Sequence, residues 1–129
     1  MVKSKRNLPF EFVLENLSRL NFTVKAFFGC HSIYIGDKIL LTLRKKKDHP
    51  RDNGVWIATS HEHHESLQQE FPCMRSIELF GNPPSSWQNL PLDADDFEES
   101  AIRACELILK NDSRIGRIPA KKRKVKKRS

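Results

Sequence analysis

The run His61-Glu62-His63-His64-Glu65 sets five metal-ligand side chains next to one another. On a helix His61, His64 and Glu65 share a face, which is one way to build a three-ligand zinc site. The two histidines are three residues apart, however, and not one turn apart as in an H-E-x-x-H helix. A metal site also needs groups that hold its ligands in place, and none can be located around these residues. The preferred reading is solvated helix surface, with no metal and no cofactor.

Gly29-Cys30-His31 raises a second kind of chemistry, because a thiol is activated by a nearby imidazole. Adjacent residues on a strand point to opposite faces, so Cys30 and His31 are badly placed to pair. The three cysteines, Cys30, Cys73 and Cys105, are odd in number and contain no C-x-x-C pair. They read as reduced, mostly buried small hydrophobes. Paired carboxylates, a phosphate-binding glycine loop and a G-x-S-x-G elbow are all missing from the sequence. The chain is therefore expected not to be an enzyme, and a hydrolase built on Cys30 is the weakest alternative.

Cations carry the strongest signal. Lys121, Lys122, Arg123, Lys124, Lys126, Lys127 and Arg128 put seven of the chain's 23 basic residues into its last nine positions. Without them the remaining 16 basic residues balance the 16 acidic ones. Setting aside Lys3, Lys5 and Arg6 as well leaves 13 basic against 16 acidic residues, so the body is slightly acidic. Dense unfolded cations bind phosphates by releasing condensed counterions, an affinity that falls steeply with salt. The expected partner is nucleic acid, DNA first. Lys121-Lys122-Arg123-Lys124-Val125 also resembles a monopartite nuclear-import signal. A second basic cluster, Lys45, Lys46, Lys47 and Arg51 with Arg44 beside them, lies between two expected strands, where a loop can touch a nucleic-acid backbone. Trp56, Trp87, Tyr34 and Phe80 could stack on bases if exposed, although aromatics within strands more often serve the core.

These residues need elements to position them. Over residues 9–21, Phe10, Val13, Leu14, Leu17 and Leu20 make one helical stripe, with Pro9 suited to the first turn. Short β-rich runs follow at residues 23–28 and 32–35. Ile33-Tyr34-Ile35, then Gly36-Asp37, then Lys38-Ile39-Leu40-Leu41-Thr42-Leu43 reads as a hairpin with a two-residue turn. Asn53-Gly54 reads as a turn dipeptide before a strand at residues 55–59. Ser60 suits the cap of a helix running to about Glu70, which Phe71-Pro72 ends. Residues 74–80 and 87–90 are strand candidates. Asp95 with Glu98 resembles a capping box for a last helix whose buried stripe is Phe97, Ala101, Ala104, Cys105 and Ile108.

The order is helix, three or four strands, helix, two strands, helix. It fits an α+β fold of two layers, an antiparallel sheet of about five to six strands with helices on one face. A chain of 129 residues fits one domain, expected over residues 1–119, with residues 1–8 a flexible basic start and 120–129 a disordered basic tail. No apolar run is long enough to span a membrane and no secretory h-region follows the basic start, so a cytoplasmic protein is expected.

Residues 28–39, from Phe28-Gly29-Cys30-His31 through Gly36-Asp37-Lys38-Ile39, resemble the opening of the MmcQ/YjbR and TfoX N-terminal domain families. His64-Glu65-Ser66-Leu67-Gln68-Gln69-Glu70-Phe71-Pro72 resembles their helix and turn. Ser86-Trp87-Gln88-Asn89-Leu90-Pro91-Leu92 resembles their tryptophan-bearing strand, and residues 97–109 their last helix. The resemblance implies a two-layer α+β fold and a role in binding DNA through projecting hairpins. It transfers no catalytic residue. Cys30-His31, the lysine-rich loop and the tail depart from the family pattern. The expected function is weakly sequence-selective nucleic-acid binding, with the tail supplying affinity and residues 45–51 supplying position. The alternative is a protein-interaction domain, or a homodimer through an open sheet edge, in which the tail only solubilises.

Overall fold

The computed structural model describes residues 8–79 and 86–119. Helix α1 (Glu11–Asn16) leads into strands β1 (Thr23–Phe27), β2 (Cys30–Ile35), β3 (Lys38–Arg44) and β4 (Gly54–Ile57). Helix α2 (His64–Glu70), strands β5 (Arg75–Ser76) and β6 (Gln88–Pro91), and helix α3 (Phe97–Leu109) complete the order. The six strands form one sheet in the order β1-β2-β3-β4-β6-β5, with every neighbouring pair antiparallel. The α+β fold expected from the element order is the fold observed.

The Gly36-Asp37 hairpin forms as read, with Ile35 paired to Lys38 across it and Gly36 at φ 61°. Ile33, Leu41, Leu43, Val55, Ile57 and Leu90 line one face of the sheet and share a single core with Val13 and Leu17 of α1, Leu67 of α2 and the stripe of α3. All five stripe residues expected in α3 are buried, and Ser100 and Leu107 join them. The other face is not left to water at its centre. Ser32, Thr42, Trp56 and Asn89 lie in register across four strands, and each is at most 1% exposed. Ser32 and Thr42 hydroxyls are 2.8 Å apart, so this polar row satisfies part of its own bonding.

Several boundaries moved. Helix α1 is shorter than the stripe implied, because Phe10 enters it in the left-handed region and Pro9 precedes it. Three-residue bonds from Ser18 to Glu15 and from Leu20 to Leu17 then tighten the chain out of the helix. The capping box does not form: Asp96 occupies the N-cap of α3 with no side-chain cap, and Ser60 likewise gives none to the 3₁₀ turn His61–His63. The strand expected over residues 74–80 reduces to β5. The Glu78 and Leu79 amides donate instead to the Asp52 carboxylate, at 3.1 and 2.8 Å. Among the described residues no helix is long and apolar enough to cross a membrane.

Candidate nucleic-acid interface

The lysine cluster stands on a loop that is built from the inside. Arg44 ends β3 and is 1% exposed, so it is not one of the surface cations the sequence grouped it with. Its guanidinium donates to the His49 carbonyl at 2.9 Å, the Asn53 Oδ1 at 2.8 Å and the Asp48 carbonyl at 2.9 Å. Asn53 in turn clamps Lys46 at the backbone, accepting from its amide and donating to its carbonyl, both at 2.9 Å. One buried fork and one amide thus close the loop, and the 3₁₀ turn Pro50–Asp52 completes it.

The loop cations then divide. Lys45 and Lys47 are exposed and Lys46 is half-buried. Arg51 is committed elsewhere: it lies 3.5 Å from both Asp52 and Glu78 and donates to the Ser76 carbonyl at 3.1 Å. Lys46 reaches back over the β1–β2 turn, where a methyl built on Gly29 would lie 2.6 Å from its Nζ. Beside that turn opens a cavity of about 360 Å³ lined by Leu8, Pro9, Gly29, His31, Leu43 and Lys45.

The seven tail cations at positions 121–128 lie outside the described residues, as do Lys3, Lys5 and Arg6. The segment leading to them is placed. Ile39 and Arg117 exchange backbone bonds at 2.8 and 2.9 Å, and the Gly116 amide donates to the Ala58 carbonyl at 2.6 Å. That segment therefore lies along the first residues of β3, while the lysine loop follows its last. At about 3.4 Å per residue the two ends of β3 are roughly 20 Å apart.

The other candidates resolve as follows. Cys30 is buried, and burial raises its thiol pKa against the opposing pull of Arg44 and Lys46. Burial likewise pushes Cys73 up and Cys105 up to about 12, so none of the three is readily ionised. The His61 and His64 rings pack 4.8 Å apart. His64 Nε2 lies 3.0 Å from the Ser86 carbonyl, and burial lowers the pKa of His64. Among the described residues no three His, Cys, Asp or Glu side chains converge as a metal cluster.

Trp56 is buried, donates from Nε1 to the Asp52 carbonyl at 2.8 Å, and packs 5.7 Å from Trp87. Lys25 Nζ sits 4.6 Å over the Tyr34 ring, and Phe80 falls outside the described residues. Among the described residues the exposed aromatic is Phe28, 71% exposed, which is not one of the four stacking candidates. The expected β-rich run over residues 23–28 took in Phe28, whereas β1 ends at Phe27 and Phe28 stands in the turn with φ 51°. No family model, no curated protein and no solved structure matches this chain.

Proposed function

We propose that this chain is a cytoplasmic, non-enzymatic, weakly sequence-selective nucleic-acid-binding protein of the MmcQ/YjbR and TfoX N-terminal kind, with DNA as the first partner to test. The observation that carries the reading is the charge distribution: a body without net positive charge, and seven cations in the last nine residues. Such a segment draws its affinity from counterion release, which is blind to base sequence. Exposed Lys45 and Lys47, on a loop braced by Arg44 and Asn53, supply phosphate contacts of fixed position. Phosphate contacts position a protein and base contacts specify, and the helices of this fold form part of its core, which favours weak sequence selectivity. Three free cysteines, two of them buried, agree with a reducing compartment.

Binding of a DNA duplex, titrated at several salt concentrations with the full chain and with residues 120–129 deleted, tests the reading. Each lost phosphate contact lowers the slope of log affinity against log salt by about 0.9, so the deletion is expected to lower it by about 3 to 6. An unchanged slope removes the tail from the account.

A further inference from the structure

The turn between β1 and β2 is made from a residue that folding alone would not choose. Phe27 pairs with Cys30 across it, and Phe28 and Gly29 both have positive φ, 51° and 79°. That is the geometry of a two-residue type I′ turn, whose first position prefers Asn, Asp or Gly. A bulky aromatic in the left-handed region is strained. Strain of this kind persists mostly where it serves a site. Phe28 also leaves 71% of its surface in water, and among the described residues Ile118, at 63%, is the other exposed large hydrophobic. The turn thus carries two costs, a strained backbone and a ring held largely in water.

The surroundings indicate what the ring meets. Lys46 lies against Gly29, its backbone pinned by Asn53. Lys45 and His31 line the adjoining cavity of about 360 Å³, within the size range of small-ligand sites. An exposed ring next in sequence to Gly29, with Lys46 against that glycine and Lys45 in the adjoining cavity, suits a base joined to its phosphates, and an unpaired base best, because in a duplex both faces of each base are already stacked.

We propose that the β1–β2 turn is a platform for single-stranded nucleic acid, Phe28 stacking on an unpaired base while Lys45 and Lys46 hold the flanking phosphates. The inference rests on the nucleic-acid reading above and adds a preference for strands without a partner. The chemistry is shared by DNA and RNA, so oligothymidylate and oligouridylate are both used as probes, beside a duplex of equal length.

The decisive variant is Phe28→Asn, which gives the turn its favoured residue and is expected to keep or raise the thermal midpoint. Fluorescence anisotropy should show its single-strand affinity reduced by about 5- to 100-fold, the range of one stacked base, with duplex affinity and salt slope unchanged. Phe28→Trp should retain single-strand binding. Several results would overturn the proposal: wild-type single-strand affinity in Phe28→Asn, equal losses on single strand and duplex, or a dimer that dissociates in Phe28→Asn while single-strand affinity stays intact. Absence of binding by the full chain to every probe would overturn the nucleic-acid reading as well, which separates the two failures.

Discussion

Arg44 shows how a residue's neighbours in sequence can misstate its place in space. It heads the run Arg44-Lys45-Lys46-Lys47, and by composition that run is surface. In the structure strand alternation puts Arg44 on the same face as Thr42, and the loop folds over its guanidinium. Little local announces this, because beside an ion pair with Asp48 at 3.4 Å the partners are two backbone carbonyls and an amide up to nine residues away. Replacing Arg44 with Met takes the guanidinium donor from the Asp48 and His49 carbonyls and leaves Asn53 Oδ1 with the Lys46 amide alone. The expected loss is about 2–4 kcal/mol of unfolding free energy by urea titration. Arg44→Lys keeps the charge but loses the planar fork, and should fall between wild type and Met, at about 1–2 kcal/mol. A Met variant within about 0.5 kcal/mol of wild type would mean that the guanidinium does not organise the loop.

At the scale of elements, what is written in neighbouring residues was legible and what depends on distant partners was not. The Gly36-Asp37 hairpin and the stripe of α3 need only turn chemistry and periodicity. The strand expected over residues 74–80 is cut short because the Asp52 carboxylate, 26 residues earlier, takes the Glu78 amide. Asn53-Gly54 looked like a turn, yet Gly54 opens β4 opposite Pro91 of β6. There a Cβ would collide with the Leu90 carbonyl and lie 2.6 Å from Asn89 Oδ1, and φ is 145°. Gly54 is thus required by the close approach of two strands, whereas Gly36 is required only by its φ of 61°, with open space around it. Gly54→Ala should cost about 2–4 kcal/mol, from overpacking and strained φ together. Gly36→Ala should cost about 1–2 kcal/mol, from φ alone. Equal costs in parallel urea titrations would show that strand approach does not govern Gly54. The candidate site follows the same division: its lysines were legible as charge, while Phe28 became visible only once the turn and its exposure were known.

Across the whole molecule, a network of ion pairs ties the segment after α3 to the helices. Arg103 donates to Glu70 at 2.7 Å, joining α3 to α2. Arg114 reaches Glu70 at 3.2 Å and Asp112 at 2.7 Å, joining the segment after α3 to the same carboxylate. Two residues beyond, that segment docks through the Gly116 amide on the Ala58 carbonyl, just past β4, and through Arg117 on Ile39 of β3, so the network holds the last described stretch of the chain. Hydrogen bonds from Arg103 and Arg114 lower the Glu70 pKa, and those from Arg114 hold Asp112 down to about 2. The unfolded chain, with ordinary carboxylates near 4.5 and 3.8, takes up these protons first as pH falls. The network's contribution is therefore complete above those values and lost as pH drops toward 2. Arg114→Ala should cost about 1–2 kcal/mol at neutral pH, a modest figure because the pairs are partly solvated. It should also flatten the fall of the thermal midpoint with acidity, drawing variant and wild type closer as pH falls toward about 2, where Asp112 is about half protonated. Thermal melts from neutral pH down to that limit decide the matter: two curves that stay parallel throughout would show that Arg114 acts by packing and not through the ionised pairs.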